Sequence, residues 1–162
     1  MPKTRQLCTF LVEDQCFAVP VEQVQEVIRY QQMTRVPLMP EVIRGLMNLR
    51  GQIVMAVDLR RSLGMAERPE SELPMNVVVR TADGAVSLLV DDIGDVLEAD
   101  EKDFEPPPET LRGPAREPVL GVYKLKQRLV LLLDTERVIG GERDVLRPAK
   151  QSRPAKLAPP SY

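Results

Sequence analysis

Apolar residues in this chain occur in short runs separated by turn-forming residues, and this pattern predicts a mainly β protein. The first two runs are Leu7 to Val12 and Cys16 to Val19, which flank the polar segment Glu13-Asp14-Gln15. Two compact apolar runs around a short polar segment are typical of a hairpin, and Pro20 ends the second strand. We therefore predict that a β-hairpin opens the domain.

The segment that follows has helical spacing. Val21, Val24 and Ile28 recur at intervals of three and four residues with Glu and Gln between them, which predicts one or two amphipathic helical turns. A matching segment, Asp91 to Leu97, lies in the second half of the chain. There Gly94 weakens the helical prediction.

The chain contains two copies of one unit. Residues 45–64 read GLMNLRGQIVMAVDLRRSLG, and residues 121–140, 76 positions later, read GVYKLKQRLVLLLDTERVIG without a gap. The identical positions are Gly45/Gly121, Leu49/Leu125, Val54/Val130, Asp58/Asp134, Arg61/Arg137 and Gly64/Gly140. Residues 17–28 and 86–97 also align, at an offset of 69, so both halves run in the same order. Two copies indicate a duplicated domain, because stacked repeat arrays need at least about three.

The sequence pattern of each copy predicts two strands followed by a short helix. In the first copy, Arg50-Gly51 forms a tight turn between strands Gly45 to Leu49 and Gln52 to Val57, and Gly51 is able to take positive φ. Asp58 then stands at the N-cap of a helical turn that ends at Gly64.

The second copy repeats this order from Leu129 to Gly140, with Lys126-Gln127-Arg128 at the turn, and a C-terminal helix is limited to about Asp134 to Leu146. Short strands with one brief helix per copy predict two small barrels. In the second half of the chain, Glu98 to Pro118 is rich in acids and prolines, which predicts an extended, partly polyproline connector.

Composition indicates an aliphatic core. The chain has 162 residues and is 43% hydrophobic, yet it has three Phe, three Tyr and no Trp. Its length suits one ordinary domain or two small domains that share a core. No apolar run approaches the roughly 20 residues that cross a bilayer, and the first residues lack the apolar region of a signal peptide. We therefore expect a cytoplasmic protein.

Charge is unevenly placed. Residues 147–162 hold four basic residues, four prolines and no acid, so we predict a disordered basic tail. Residues 1–146 hold 18 basic and 24 acidic residues, a formal charge of −6. A body of this charge repels nucleic acid, which normally binds to a clustered basic face.

Residues for catalysis or metal binding are scarce. The chain has no His, no G-x-S-x-G motif and no phosphate-binding glycine loop, so we predict neither an enzyme nor a cofactor or metal site. Cys8 and Cys16 are interpreted as buried reduced thiols. Asp91 and Asp92 form an adjacent acidic pair, but neighbouring strand residues point to opposite faces, so we predict a solvated strand end or turn.

Several motifs in order resemble the CheW family of receptor–kinase coupling proteins. They are V-x-x-V-x-E-V-I at Val21 to Ile28, P-L-x-P at Pro37 to Pro40, and G-L-x-N-L-R-G-x-I-x-x-x-x-D-L-R-x-x-L-G at Gly45 to Gly64. The resemblance covers Leu7 to about Gly140. It implies two five-stranded SH3-like barrels around a shared hydrophobic core. On this basis we expect a CheW-like domain at residues 5–146, with barrels at about 5–66 and 75–140.

The resemblance also implies partners and site residues. Family members join chemoreceptors to a CheA-type histidine kinase in membrane-associated arrays and catalyse nothing. By position, Val24 and Gly45 match kinase-binding residues. The positions that match receptor-binding residues are Glu26, Asn48, Arg50, Ile93 and Val96.

Alternatives remain open at this point. Val24, Ile93 and Val96 fit core positions equally well, and Gly45 fits a backbone requirement. Arg50 has no packing reason to stand in a turn, and its planar guanidinium suits a carboxylate or carbonyl of a partner. The chain could also be a detached regulatory module, an adaptor in a non-chemotactic pathway that controls pili, development or a second messenger, or a competitor that occupies the kinase without passing a signal. An enzyme is the most remote alternative.

Overall fold

The structure is a computed structural model, and it describes residues 3–138. The predicted mainly β architecture is confirmed, since eleven strands form two sheets. The strands are β1 (Thr4–Val12), β2 (Gln15–Pro20), β3 (Val24–Ile28), β4 (Ile43–Leu49), β5 (Gln52–Asp58), β6 (Met75–Thr81), β7 (Gly84–Val90), β8 (Asp92–Asp100), β9 (Phe104–Glu105), β10 (Val119–Leu125) and β11 (Arg128–Leu133). Helix α1 (Leu59–Ser62) follows β5, and 3-10 turns cover Val21–Gln23, Glu101–Asp103 and Gly113–Ala115.

The two sheets have the same internal order. One sheet, the six-stranded barrel, runs β8-β1-β2-β11-β10-β9, and the other, the five-stranded barrel, runs β3-β6-β7-β5-β4. The repeat offsets match β1 with β6, β2 with β7, β3 with β8, β4 with β10, and β5 with β11. The two sheets are therefore built alike, and β9 is an addition at the edge of the larger one.

Each barrel is assembled from both copies of the repeat. The hairpin β1–β2 of the first copy pairs with β8 and, in parallel, with β11 of the second copy. Conversely, the hairpin β6–β7 of the second copy pairs with β3 and, in parallel, with β5 of the first. The prediction of one barrel at residues 5–66 and another at 75–140 is therefore wrong, because the copies exchange their first hairpins.

The prediction of helical turns over Val21 to Ile28 is wrong for most of that segment. A single 3-10 turn spans Val21–Gln23, and Val24–Ile28 forms β3, which pairs with β6. The equivalent segment in the second copy belongs to β8, which pairs with β1. Both segments are rich in Val and Ile, whose branched side chains fit a sheet better than a helix.

The turn and cap predicted for the first copy are confirmed. Arg50 and Gly51 both have positive φ, 52° and 88°, as a type I′ hairpin turn requires. The Asp58 carboxylate accepts a hydrogen bond of 3.1 Å from the Arg60 amide at the start of α1. Gly64, with φ of 75°, follows the helix.

The second copy departs from the first after β11. Asp134 accepts a 2.8 Å hydrogen bond from the Glu136 amide, but residues 135–138 form a turn and no α-helix. Gly140, the remainder of the predicted C-terminal helix and the predicted tail at 147–162 lie outside the described residues.

The connector Glu98 to Pro118 is more structured than predicted. Strand β8 continues to Asp100, a 3-10 turn follows, and β9 pairs with β10. The prolines at 106–108 and the residues up to 112 belong to no helix or strand, which agrees with the prediction of an extended segment there.

The core is aliphatic and has three parts. The largest cluster joins both barrels and includes Val77 and Val79, whereas Val78 between them packs inside the five-stranded barrel. The six-stranded barrel has an interior of its own around Leu132. Because successive strand residues face opposite sides, the central strands are buried on both faces, which explains their continuous apolar runs.

Cys8 and Cys16 are free and buried, as predicted. Burial raises the pKa of both thiols, since the interior disfavours the thiolate. Neither thiol therefore has the environment of a reactive nucleophile.

Candidate functional site

Three of the predicted receptor-binding residues come together at one end of the five-stranded barrel. The Asn48 carboxamide accepts a 2.8 Å hydrogen bond from the Gly51 amide and so stabilises the turn that carries Arg50. The Arg50 guanidinium donates to the Glu26 carboxylate, which β3 brings to the same end. The Arg50 side chain is 71% exposed. Glu26 therefore orients an arginine that keeps free N–H donors facing solvent.

A second bond closes this end of the barrel. Gln25 on β3 donates from Nε2 to the Oε1 atom of Gln52 on β5 at 3.1 Å. Strand β3 is one edge of the sheet and the β4–β5 hairpin contains the other edge. The Gln25–Gln52 and Glu26–Arg50 hydrogen bonds therefore join parts of the sheet that share no backbone hydrogen bonds. The predicted site thus has a defined shape at this end.

Val24 and Ile93 occupy matching positions in the two copies. Both are partly buried and pack against the cluster that joins the barrels. The core alternative therefore applies to these two residues. It does not apply to Val96, whose residue surface is 61% exposed on β8.

Gly45 has a backbone reason to be glycine. A Cβ atom placed on Gly45 would lie 2.6 Å from the carbonyl oxygen of Thr34. Thr34 and Leu46 exchange two backbone hydrogen bonds of 2.8 Å here, so the connector crosses β4 closely. At the matching position, a Cβ on Gly121 would collide with the Phe104 ring of β9. The two glycines thus make room for the same kind of edge contact.

The predicted site residues divide between the barrels. Val24, Glu26, Gly45, Asn48 and Arg50 lie in the five-stranded barrel or its turn. Ile93 and Val96 lie on β8 of the six-stranded barrel. A partner that engages both groups would therefore have to contact both barrels.

A cluster around Asp91 was missed by the sequence interpretation. Arg60 donates to Asp91 from Nε at 3.0 Å and from Nη2 at 2.7 Å, and Arg68 donates from Nη2 at 2.7 Å. The Glu13 amide in the β1–β2 turn donates to the same carboxylate at 2.5 Å. The Asp91 side chain is only 17% exposed. The prediction of a solvated strand end is therefore wrong for Asp91, although Asp92 is exposed as predicted.

The Asp91 cluster is built to hold charge in place. Burial would raise the pKa of Asp91, but hydrogen bonds from Arg60, the Glu13 amide and Arg68 outweigh it and lower the pKa to about 2. The hydrogen bond to Asp91 raises the pKa of Arg60 in turn. Asp91 lies where the chain passes from β7 to β8, so this cluster ties the two barrels together. A carboxylate neutralised by two guanidinium groups is suited to structure rather than to proton transfer.

Exposed apolar residues occur in matching pairs. Ile53 on β5 and Leu129 on β11 are 76 positions apart and are 63% and 57% exposed. Val27 on β3 and Val96 on β8, 69 positions apart, are also exposed. Each barrel therefore presents apolar side chains at equivalent places, a feature that favours contact with other proteins.

Residues 3–138 were also compared with the requirements of a metal site and of a membrane-spanning helix. Within this range, no group of three or more His, Cys, Asp or Glu side chains is arranged to hold a metal ion. None of the helices in the same range is long and apolar enough to cross a membrane.

Comparison with known proteins agrees with this architecture. The family model described as CheW-like domain matches residues 6–143. The chain is 30% identical over 133 residues to the protein named Chemotaxis protein CheW of Klebsiella aerogenes, covering 82% of this chain and 80% of that protein. It is 30% identical over 138 residues to the protein of the same name from Rhizobium meliloti, covering 85% and 89%.

A solved structure has the same fold. The scaffolding protein TtCheW from Thermoanaerobacter tengcongensis superposes with a TM-score of 0.73 at 27% identity, over 83% of this chain and 90% of that one. The fold and the family match thus define a protein of the two-barrel CheW-like class. The chain belongs to the CheW family.

Proposed function

We propose that this protein couples chemoreceptors to a CheA-type histidine kinase by binding both. The observation that carries this proposal is the Glu26–Arg50 pair, an oriented and exposed arginine at the end of a barrel in a CheW-family fold. The names of the relatives, which refer to chemotaxis and scaffolding, support the same role. Such an adaptor acts in the cytoplasm, at membrane-associated receptor arrays.

The receptor-binding surface in this proposal consists of Glu26, Asn48, Arg50, Ile93 and Val96. Arg50 offers donors to acceptor groups on a helical receptor tip, Glu26 and Asn48 hold it in position, and Val96 adds an exposed apolar contact. Ile93 supports this surface from the core side, because it packs against the shared cluster.

The kinase-binding surface includes Val24 and Gly45. Both shape the five-stranded barrel rather than project from it, since Val24 packs on the core and Gly45 lies against Thr34. Val24 and Gly45 therefore contribute to kinase binding by fixing the shape of the barrel surface that the kinase contacts. Exposed neighbours such as Val27 and Ile53 supply apolar area for contact.

The mechanism is geometric. The shared core and the Asp91 cluster join the barrels, so a receptor that contacts both barrels is held at a fixed placement relative to a kinase domain on the five-stranded barrel. A change in receptor arrangement would alter the free energy of kinase placement through this body. No chemical step by the adaptor is required.

Co-purification of three components tests the proposal. The full chain is immobilised and mixed with the regulatory domain of a CheA-type kinase and a receptor cytoplasmic fragment encoded in the same genome. We expect each partner to be retained alone and both to be retained together. Failure to retain either partner would contradict the coupling role. The same resin without the immobilised chain controls for non-specific capture.

A further inference from the structure

The matching ends of the two barrels differ in how they are closed. In the five-stranded barrel, Gln25–Gln52 and Glu26–Arg50 join β3 to the β4–β5 hairpin. At the matching end of the six-stranded barrel, β8 and the β10–β11 hairpin border an open groove of about 770 Å³. The duplication thus provides one closed end and one open end.

The groove has an apolar floor and a cationic rim. Leu97 and Leu125 pack against the interior of the six-stranded barrel and also line the groove. The charged lining residues are Lys102, Lys124, Lys126, Arg128, Glu98 and Asp103. The cationic side chains therefore outnumber the acidic ones by four to two.

Most of the cationic charge on the rim is unpaired. Lys124 forms an ion pair of 2.8 Å with Glu105 of β9. Across residues 3–138, Lys102, Lys126 and Arg128 form no ion pair. Residues 1–146 carry a formal charge of −6, so the cationic rim of the groove is opposite in sign to the net charge of this part of the chain. Such a patch attracts and orients an acidic partner.

The apolar component extends beyond the floor. Leu129, which is exposed, lies directly across the hairpin from Lys124, so the two side chains share one face. A ligand that fits both features needs acidic side chains and a bulky apolar side chain within one short segment.

We propose that this groove, the cationic groove, is a docking site for an acidic peptide segment of a partner protein, with Asp or Glu on both sides of a Leu or Phe. The apolar side chain packs on Leu97 and Leu125, and the acids pair with Lys126 and Arg128. This docking site does not depend on the coupling role proposed above, because it uses neither Arg50 nor the other assigned residues.

A defined peptide tests the proposal with the full-length protein. The probe is the acetylated, amidated hexapeptide Glu-Asp-Leu-Phe-Asp-Glu, and its isosteric control is Gln-Asn-Leu-Phe-Asn-Gln. Amide chemical shifts in ¹⁵N-labelled protein are followed during titration. We expect shifts to concentrate at residues 97–98 and 124–128, and expect the affinity to fall as salt is raised because the contacts are exposed charges.

Charge reversal separates the groove from net charge. The double variant Lys126→Glu/Arg128→Glu should weaken peptide binding by at least about tenfold, the effect of about 1.4 kcal/mol. The control Arg29→Glu/Arg112→Glu changes net charge equally at exposed sites outside the groove and should bind the peptide within about twofold of the unmodified protein. Circular dichroism spectra of both variants verify that they fold.

Several outcomes would overturn the proposal. They are equal binding of the neutral hexapeptide, an equal loss in both double variants, or shifts that map elsewhere. Preferential shifts at the groove with a defined single-stranded oligonucleotide, with phosphatidylglycerol vesicles, or with rising protein concentration alone would assign the groove to nucleic acid, a lipid surface or a second copy instead.

Discussion

Arg60 and Asp91, 31 residues apart, face each other in a two-pronged ion pair with hydrogen bonds of 3.0 and 2.7 Å. Arg60 follows a strand of the five-stranded barrel, and Asp91 precedes a strand of the six-stranded barrel. Removing the carboxylate leaves the largely buried Arg68 guanidinium without an ion pair and leaves Arg60 only the Glu13 carboxylate, at 3.9 Å. We therefore expect Asp91→Asn to lower the free energy of unfolding by about 3 kcal/mol, measured by urea denaturation.

Asp92 is the matched control for this prediction. It is the next residue, exposed, and its carboxylate accepts a local bond of 2.9 Å from the Ile93 amide. Asp92→Asn should change the free energy of unfolding by about 0.5 kcal/mol or less. Similar losses in both variants would show that Asp91 has no special part in joining the barrels.

The low pKa of Asp91 predicts a component of acid sensitivity. The pKa is about 2 in the folded protein, compared with an ordinary value of 3.8. Because the folded value is depressed, the stabilisation is complete above about pH 4 and is lost as the pH falls towards 2. The difference corresponds to about 2 kcal/mol. Urea denaturation at a series of pH values should show a shallower loss in Asp91→Asn than in the unmodified protein, and parallel curves would contradict the assignment.

Asp58 and Asp134 provide a matched pair for measuring the helix cap. Asp58 is buried, caps α1 through the Arg60 amide and lies 3.5 Å from Arg44, whereas Asp134 caps a more exposed turn through the Glu136 amide. We expect Asp58→Ala to cost about 2 kcal/mol and Asp134→Ala about 1 kcal/mol, measured by thermal or urea unfolding. A larger loss at Asp134 would show that the turn after β11 is more important to the fold than α1.

A substitution at Gly45 can distinguish a steric requirement for glycine from a direct contact with the kinase. Alanine at this position places its Cβ 2.6 Å from the Thr34 carbonyl oxygen, so we expect Gly45→Ala to lower stability by about 2 kcal/mol through overpacking. Gly51→Ala, where no atom lies within 4 Å but φ is 88°, should cost about 1 kcal/mol. If Gly45→Ala weakened kinase binding with an unchanged melting temperature, a direct contact would replace the structural explanation.

Repeat alignment predicted the elements of this fold better than their assembly. The glycines, the Asp58 cap and the Arg50-Gly51 turn are local features, so each could be predicted from adjacent residues. Which copy supplies the partner of β1–β2 is a different kind of question. Both copies have nearly equivalent strand edges, and apolar patterns do not distinguish a partner within a copy from one across copies. The exchange of hairpins therefore needed the structure.

The segment Val21 to Ile28 shows why helix and strand were confused. Over eight residues, a spacing of three and four is too short to separate a helix from a strand interrupted by a bulge. The register of β3 against β6 does shift between Val24 and Glu26.

The Asp91 cluster was missed for a different reason, because Arg60, Arg68 and Asp91 meet only after the barrels are joined.

Arg50 provides the sharpest test of the proposed receptor surface. Its side chain is exposed and its ion pair with Glu26 lies at the surface, so Arg50→Ala should change the melting temperature by about 2 °C or less. Positive φ at this position is no harder for alanine than for arginine, so the turn is preserved. Retention of the receptor fragment should fall at least about tenfold while retention of the kinase domain is unchanged, in the same co-purification assay. Arg112→Ala, at an exposed arginine in the connector, is the control and should retain both partners. A large fall in melting temperature would instead make Arg50 a structural residue, and equal loss of both partners would contradict a separate receptor surface.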